Sequence, residues 1–315
     1  MKLSIVIPTR NRCASLRKLL FSILEQITPP SEVIIVDDSN NEETKILVEQ
    51  LHNHFLKRRI KLRHIMPKES PKSISRARNL GAKKAEGDII VFLDDDVVID
   101  RNYLKEIMQV FKDKSGAIGV QGLIVNVPYS SFWNSIKKIF FYWHAEGDKC
   151  RVLPSGKTTY ALAPNKLITC EWLIGSNVAY RKEVFREFSF NEKLLGYSLG
   201  EDKEFSYKIH KKYPGSLFLT PFARVYHHQP PLKNASKQKI YIITMYPIGF
   251  FLNNIEQTLK NKIIFLWSEI GRIILRIIWS LPNPINIKHI ITSYFEAVKH
   301  INDIKNEDYS FIFEI

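Results

Sequence analysis

The chain is poor in cysteine, with only Cys13, Cys150 and Cys170 among its 315 residues. These three are far apart and form neither a Cys-x-x-Cys pair nor an even-numbered set, which excludes a disulfide framework. So few, separated cysteines are typical of a reducing compartment. Thirteen Gly and fifteen Pro are ordinary amounts, and no segment repeats at a fixed period, which excludes collagen-like and solenoid folds.

The chain also lacks long hydrophobic runs. The first apolar run stops at Pro8, so it is too short for the core of a signal peptide. The longest uncharged apolar stretch, 240–252, contains Pro247 and is shorter than the ~20 residues of a membrane-spanning helix. We therefore expect a cytoplasmic protein without a transmembrane helix. Its 45% hydrophobic and 25% charged residues can still bury a core.

Acidic residues are outnumbered, because 46 Lys and Arg face 32 Asp and Glu and give a formal charge of +14. A surface of this sign attracts an anionic partner, such as nucleic acid, acidic lipid or a phosphorylated substrate. No helix-turn-helix, zinc-finger or ribonucleoprotein motif accompanies the charge, so we expect no nucleic-acid partner.

The first 125 residues alternate short β-branched runs with segments of helical periodicity, such as 15–24. This alternation predicts an α/β fold with a parallel sheet wound with helices. The predicted strands are 3–7, 32–36, 60–65, 88–93 and 117–125. The aromatic, basic and turn-rich stretch 128–169 predicts an insertion. The double proline Pro230–Pro231 predicts a boundary between a domain at 1–232 and a mostly helical appendage at 233–315.

The appendage contains an amphipathic segment at 262–281, where Glu269, Arg272 and Arg276 share one helical face and apolar residues cover the rest. Such a helix either lies in a membrane interface or packs on the first domain. Aromatic residues near cations favour contact with an anionic membrane surface. They form two groups: Trp133, Phe140, Phe141, Tyr142 and Trp143 beside Lys137 and Lys138, and Trp267 and Trp279 beside Arg272 and Arg276.

Three carboxylates, Asp94, Asp95 and Asp96, directly follow the apolar strand 89–93. Such a charge at the end of a buried strand is costly unless a cation lies there. Asp94 and Asp96 are two positions apart and face the same side of an extended chain. Oxygen ligands suit Mg²⁺ or Mn²⁺, and a diphosphate completes their shell. The alternative is a solvated turn before the next helix, capped by Asp100.

Six motifs in order make the chain resemble the family 2 glycosyltransferases, which have the GT-A fold and use nucleotide sugars. The motifs are SIVIPTRNR, EVIIVDDSN, SRARNLGAKKAEGDIIVFLDDDV, EWLIGSNVAYRKEVF, LGEDKEFSYKI and ARVYHH, and they cover about 3–228. The resemblance implies a GT-A nucleotide-binding sheet in which 128–169 lies on the acceptor side.

The resemblance also implies roles for individual residues. It assigns donor binding to Pro8, Thr9, Arg12, Asp38, Arg78, Asn79, Asp94 and Asp95. It assigns a Mn²⁺ or Mg²⁺ ion to Asp94 and Asp96, with His227 near the metal or the diphosphate. It assigns the acceptor side to Trp172, Gly175, Ser176 and Asn177. Of the acidic pair Glu201 and Asp202, it favours Asp202 as the general base, although both acids also suit a helix N-terminus.

The expected function is therefore an inverting, metal-dependent transfer from a nucleotide-diphosphate sugar to a hydroxyl of a glycan or lipid-linked glycan. The basic and aromatic segments indicate cell-envelope synthesis at the cytoplasmic face of a membrane. One alternative is transfer to polyprenyl phosphate, with Arg181 and Lys182 as cations near Asp202. Another is a non-catalytic nucleotide-sugar-binding protein, although the retained acids favour an enzyme.

Overall fold

The computed structural model describes residues 1–67, 73–196, 199–228, 236–281 and 283–314. The predicted boundary at Pro230–Pro231 lies outside these residues. The strands are β1 (Leu3–Thr9), β2 (Glu32–Asp37), β3 (Lys61–Ile65), β4 (Ile89–Leu93), β5 (Val97–Ile99), β6 (Gly119–Ile124), β7 (His144–Ala145), β8 (Thr159–Tyr160), β9 (Ile168–Cys170), β10 (Asn177–Arg181) and β11 (Leu217–His227). The α-helices are α1 (Cys13–Leu24), α2 (Glu43–Lys57), α3 (Ile74–Lys84), α4 (Tyr103–Asp113), α5 (Ser131–Ile139), α6 (Glu201–Lys212), α7 (Lys237–Asn254), α8 (Leu259–Ser280), α9 (Pro284–Lys299) and α10 (Ile301–Lys305).

The main sheet runs in the order β3-β2-β1-β4-β10-β6-β11-β5, and β9 pairs with β11. Strands β1 to β4 are parallel, as predicted, whereas β10 is antiparallel to both of its neighbours. Helices cover both faces of the sheet at β4, which explains why every residue of this strand is apolar. Ile89, Val91 and Leu93 face the helices α1, α2 and α4, and Ile90 and Phe92 face α3 and α6.

The C-terminal helices pack on the rest of the chain. Helix α7 is buried along most of its length, and α8 and α9 contact each other while α9 packs against α7. None of the helices in the described ranges combines the length and apolarity of a membrane crossing. The expected α/β fold with a helical C-terminal region is confirmed.

The charged face of helix α8 is turned inward. Glu269 and Arg272 are buried, and Arg272 donates to the carbonyls of Ile243 and Thr244 on α7. Arg276 donates to Thr244 Oγ1 at 2.6 Å. Arg272 and Arg276, which the sequence analysis took as support for contact with an anionic membrane, thus bind carbonyl and hydroxyl oxygens of α7 and no longer give that support. The apolar face of α8 is outside instead.

The two predicted aromatic groups lie against each other. Trp133 packs edge-on to Trp279 with ring centroids 5.9 Å apart, and Phe140 lies 5.0 Å from Trp267. A side chain at Gly271 would collide with Phe140, so a glycine is needed for α5 to approach α8. The 128–169 segment is thereby fixed to the C-terminal helices.

Candidate active site

The first two of the three carboxylates after β4, Asp94 and Asp95, have different surroundings. Asp95 accepts hydrogen bonds from Thr9 Oγ1 at 2.7 Å and Arg12 Nη1 at 3.0 Å, so it ties β4 to the loop after β1. Burial raises the pKa of Asp95 to about 6, although the bonds from Thr9 and Arg12 oppose this. Asp94 is partly exposed and lies in the wall of a cavity of about 890 Å³. Asp95 thus positions the loop, and Asp94 faces the cavity.

Asp94, Asp96 and His227 form a cluster suited to a metal ion. One ligand atom from each lies within 4.8 Å of the others, and His227 Nε2 is 2.9 Å from Asp96 Oδ1. Antiparallel pairing of β11 with β5 brings His227 opposite Val97. His227 thus lies next to the acidic loop, which consists of Asp94, Asp95 and Asp96. Two carboxylates and an imidazole fit Mn²⁺ or Mg²⁺. The sequence named these three residues, and the fold brings them together.

Burial on its own disfavours the charged form of Asp96. The hydrogen bonds and charges of His227 and Arg12 outweigh it and lower the pKa of Asp96. Burial likewise lowers the pKa of His227, but Asp96 and Asp94 reverse the effect and raise it. Asp96 is therefore favoured as a carboxylate, whereas a protonated His227 has to release its proton before it can bind a metal ion.

Arg78 is fully buried and joins the two halves of the site. Its Nη2 donates to Asp94 Oδ1 at 2.9 Å and to the Gly175 carbonyl, and its Nη1 donates to Glu201 Oε1 at 2.5 Å. The resemblance implied contact with the donor diphosphate. The structure shows Arg78 holding two carboxylates at the cavity wall.

Glu201 and Asp202 begin α6, directly after Gly200 in the left-handed conformation with φ of 89°. Burial, followed by the charge of Asp202, raises the pKa of Glu201 to about 8. Asp202 is less buried, lines the cavity, and accepts hydrogen bonds from the backbone N–H groups of Gly175 and Lys203. Of the two, Asp202 is the better placed to accept a proton from a molecule in the cavity.

The residues predicted for the acceptor side have different positions. Trp172 and Ser176 line the cavity, and Trp172 Nε1 donates to the Thr159 carbonyl at 2.8 Å. Asn177 is fully buried in β10, its side chain accepts from the Gly122 N–H, and it is not among the residues of the cavity wall, so its role as an acceptor contact stays a prediction. Gly175 lies behind the wall, where a Cβ atom would collide with Arg78 and Asp202. Its small size serves that packing.

The residues predicted to bind the donor lie in two different places. Thr9 and Arg12 contact the acidic loop. Pro8 lies within β1 opposite Val36, and Asp38 follows β2 and donates its N–H to the Thr9 carbonyl. These four residues occupy the carboxyl ends of β1 and β2, where ligands of open α/β sheets bind. Asn79 is turned away and bonds to Phe190 and Glu192. These bonds anchor the loop at Phe190, and the donor contact of Asn79 stays a prediction without support from its position.

Sequence reasoning missed the cations of the cavity wall. Lys157, Lys203 and Arg272 line it, together with apolar residues of α7 such as Phe250. No motif marks Lys157, the sequence analysis placed Arg272 among the cations of a membrane contact, and only the position of Lys203 after Asp202 was a signal. Arg181 and Lys182, predicted as cations near Asp202, bind backbone carbonyls on another part of the sheet and do not line the cavity.

Curated relatives are glycosyltransferases of greater length. The chain is 26% identical over 261 residues to the hyaluronan synthase of Pasteurella multocida, which covers 73% of the chain and 25% of the synthase. It is 24% identical over 192 residues to the poly(ribitol-phosphate) β-N-acetylglucosaminyltransferase TarS of Staphylococcus aureus, covering 58% of the chain and 30% of TarS. The chain thus spans less than a third of either relative.

The fold is similar to solved glycosyltransferase structures. S. aureus TarS 1–349 in complex with UDP-GlcNAc superposes with a TM-score of 0.59 at 18% identity, over 98% of this chain and 88% of that one. The family model "Glycosyl transferase family 2" matches residues 4–189, more than half of the chain. The resemblance inferred from the six motifs is confirmed: the chain belongs to glycosyl transferase family 2 and has the GT-A fold.

Proposed function

We propose that the protein transfers a sugar from a nucleotide-diphosphate sugar to a hydroxyl of a glycan or glycolipid, with inversion at the anomeric carbon and with Mn²⁺ or Mg²⁺. One observation carries this proposal: Asp202, an accessible carboxylate, lines the same cavity as Asp94, a member of the candidate metal cluster. A proton acceptor and a site for the leaving diphosphate thus share one cavity.

In this proposal Asp202 removes the proton of the acceptor hydroxyl as the hydroxyl oxygen attacks the anomeric carbon. A sugar hydroxyl is a weak nucleophile, so a carboxylate within hydrogen-bond reach speeds the step. The backbone N–H groups of Gly175 and Lys203 fix the Asp202 carboxylate. Attack from the face opposite the nucleotide gives inversion in one displacement, without a covalent intermediate on the protein.

Asp94, Asp96 and His227 would hold the metal ion. When bound, the ion supplies positive charge that stabilises the departing diphosphate. Arg12 contacts Asp95 and Asp96 at the same edge and provides a further cation close to the leaving group. Thr9 and Asp38 at the ends of β1 and β2 are proposed to bind the nucleotide.

The proposed acceptor belongs to polysaccharide or glycoconjugate synthesis of the cell envelope. Support comes from the relatives, which are named for hyaluronan synthesis and for transfer to poly(ribitol-phosphate). The alternative of transfer to polyprenyl phosphate loses the support of Arg181 and Lys182, which lie elsewhere. The family assignment and the intact acids favour catalysis over the non-catalytic alternative.

We also propose that the protein works at an anionic membrane surface, through the outer faces of α5, α8 and α9. Many large apolar side chains are exposed on these adjoining helices. They are Phe132, Ile139, Ile263, Leu266, Trp267, Ile270, Ile274, Ile278, Trp279, Ile285, Ile291, Phe295 and Val298. Exposed lysines accompany them, namely Lys138, Lys260, Lys262, Lys288 and Lys299. Apolar area with surrounding lysines is the pattern of an interfacial helix.

A donor screen tests the transferase proposal. Thermal unfolding is recorded with UDP-, GDP- and dTDP-sugars, each with and without Mn²⁺. A donor at 100 times its dissociation constant adds ~2.7 kcal/mol to the free energy of unfolding. We expect one nucleotide class to stabilise the protein, with Mn²⁺ increasing the effect.

The metal cluster is tested in the same screen with Asp96→Ala. We expect this variant to fold but to lose the Mn²⁺-dependent stabilisation, while Asp113→Ala, at an exposed acid of α4, keeps it. Equal Mn²⁺-dependent stabilisation in both variants would contradict the metal assignment.

A further inference from the structure

The part of the cavity wall beyond Asp202 is built from cations that come from three separate segments. Lys157 comes from the turn before β8, Lys203 from α6 and Arg272 from α8. Lys157 and Arg272 are buried, at 6% and 2% exposure, and Lys203 is partly exposed to the cavity. Lys203 follows Asp202 directly, so this wall adjoins the proposed base.

Within the described residues, these cations outnumber the carboxylates that form salt bridges with them. Glu269 contacts two of the three, with its Oε1 2.8 Å from Lys157 Nζ and its Oε2 bonded to Arg272 and to Tyr294 Oη. Lys203 is instead influenced by the charges of Asp202 and Glu204. Glu269 does not line the cavity, whereas Lys157, Lys203 and Arg272 do. Arg276 lies behind them and adds a fourth positive charge.

Four other acids of the cavity already have cationic partners, and Asp202 accepts from the backbone N–H groups of Gly175 and Lys203. Glu204 pairs with Lys208 and Glu307 with Lys193, both lysines on the surface. Glu201 and Asp94 pair with Arg78. The wall formed by Lys157, Lys203 and Arg272 therefore keeps an excess of positive charge inside the protein.

The ammonium group of Lys203 makes its direct contacts with uncharged groups. Its Nζ donates to the Gly156 carbonyl at 2.8 Å and lies 3.5 Å from the centre of the Phe250 ring. Burial, followed by the charge of Lys157, lowers the pKa of Lys203 to about 7. Burial, followed by the charge of Arg272, lowers the pKa of Lys157 to about 8. Mutual repulsion of buried cations is relieved when an anion binds between them.

We propose that Lys157, Lys203 and Arg272 form a subsite for a phosphate group of the acceptor. This inference rests on the proposed function and adds to it the chemical class of the acceptor. A phosphate offers several oxygens to cations that converge from different segments. It anchors the acceptor beside Asp202, while a hydroxyl of the same acceptor faces the base. The phosphate itself takes no part in bond making or breaking.

Two kinds of acceptor carry such a phosphate, namely a lipid and a polyol-phosphate chain. Phe250, Pro247 and Tyr246 line the same cavity and would contact the rest of either molecule. The test therefore uses two probes with the full chain, without donor or metal. Dodecyl phosphate represents the lipid and glycerol 3-phosphate represents the polyol. Dodecyl maltoside is the uncharged control, and binding is measured by calorimetry.

We expect at least one phosphate probe to bind, and dodecyl maltoside to bind at least ten-fold more weakly than that probe. Lys203→Met should weaken the phosphate probe by about ten-fold or more, and Lys203→Arg should restore most of the affinity. Lys208→Met, on the same helix but paired with Glu204 at the surface, is the matched control and should bind like the parent. Lys157→Met provides a second, independent removal of charge.

Two results would overturn the subsite: equal binding of phosphate and maltoside probes, or unchanged phosphate binding in both Lys203→Met and Lys157→Met. Binding of the nucleotide with Mn²⁺ is measured on the same samples. A variant that binds the nucleotide is folded, and its phosphate result counts. A parent that binds phosphate but no nucleotide refutes the proposed function while leaving the anion site in place.

Discussion

Arg78 and Glu201, 123 positions apart in the chain, form a buried ion pair with Nη1 2.5 Å from Oε1. The same guanidinium holds Asp94, so one side chain connects the acidic loop after β4 to the start of α6. The candidate metal ligand and the candidate base are thereby kept on one cavity wall. Catalytic geometry depends on such supporting contacts as well as on the reacting groups.

Removing Arg78 should therefore affect the stability of the whole domain. Arg78→Met leaves Asp94 and Glu201 without their cation, and breaking a buried pair on one side costs about 3–5 kcal/mol. Urea unfolding measures this loss. Lys83→Met, at an exposed position of the same helix, should change the free energy of unfolding by less than about 0.5 kcal/mol. A similarly small change for Arg78→Met would show that the pair does not support the fold.

The roles of the acidic pair can be separated by amide substitutions. Asp202→Asn should keep donor binding but lower the transfer rate by about 10²- to 10⁴-fold, since the amide cannot take a proton at neutral pH. Glu201→Gln should reduce the rate less, because Glu201 is bound to Arg78 and its pKa is raised to about 8. Rates at saturating donor and donor dissociation constants are measured for both variants. A nearly parental rate in Asp202→Asn with a large loss in Glu201→Gln would assign the base to Glu201.

Glu269 should make the stability of the C-terminal helices acid-sensitive. Burial opposes its ionisation, but the charges of Arg272 and Lys157 hold its pKa at about 2, below the usual value of about 4.3. A lowered folded-state pKa stabilises the protein above pH ~4.3, and this contribution is lost as the pH falls toward 2. The shift of about two units corresponds to about 3 kcal/mol.

The measurement compares the parent with Glu269→Gln by urea unfolding between pH 7 and pH 2.5. We expect the parent to be more stable at pH 7 and the difference to shrink steadily below pH 4. A difference that does not change with pH would mean that Glu269 is not held ionised by its cations.

Membrane binding should depend on the outer face of α8. Ile270→Glu and Ile274→Glu place acids on this exposed apolar face, so both should reduce co-flotation with anionic vesicles. Ile46→Glu changes an equally exposed isoleucine of α2 and should float like the parent. Recovery is compared on vesicles with and without phosphatidylserine. Parental flotation of both α8 variants would exclude this face as the membrane contact.

Much of the fold was predictable from local pattern. Strand β4 was predicted to within one residue, because five consecutive apolar residues are typical of a strand buried on both faces of a sheet. Asp94 and Asp96 were recognisable because charge at the end of such a strand needs a partner. The antiparallel entry of β10 between β4 and β6 was not predictable, since strand order depends on contacts between distant segments.

The direction in which single side chains point was harder to predict. Asn79 follows Arg78 on α3, and a step of about 100° around the helix turns Asn79 to the loop at Phe190 while Arg78 reaches the site. The periodicity of α8 correctly separated a charged face from an apolar face. It did not show which of the two faces packs against the protein. The carbonyls of Ile243 and Thr244, to which Arg272 donates, and Lys157, which pairs with Glu269, explain why the charged face is buried.

The sequence by itself determined the family, the α/β sheet and the acids that belong to the site, because motifs and strand periodicity are local properties of the chain. Tertiary structure alone decided that Arg78 joins Asp94 to Glu201 and that Lys157, Lys203 and Arg272 meet beside Asp202. Those three cations come from a turn and two helices that are far apart in sequence. Their charges act on one another only because folding brings them within the range of electrostatic interaction in a poorly solvated wall.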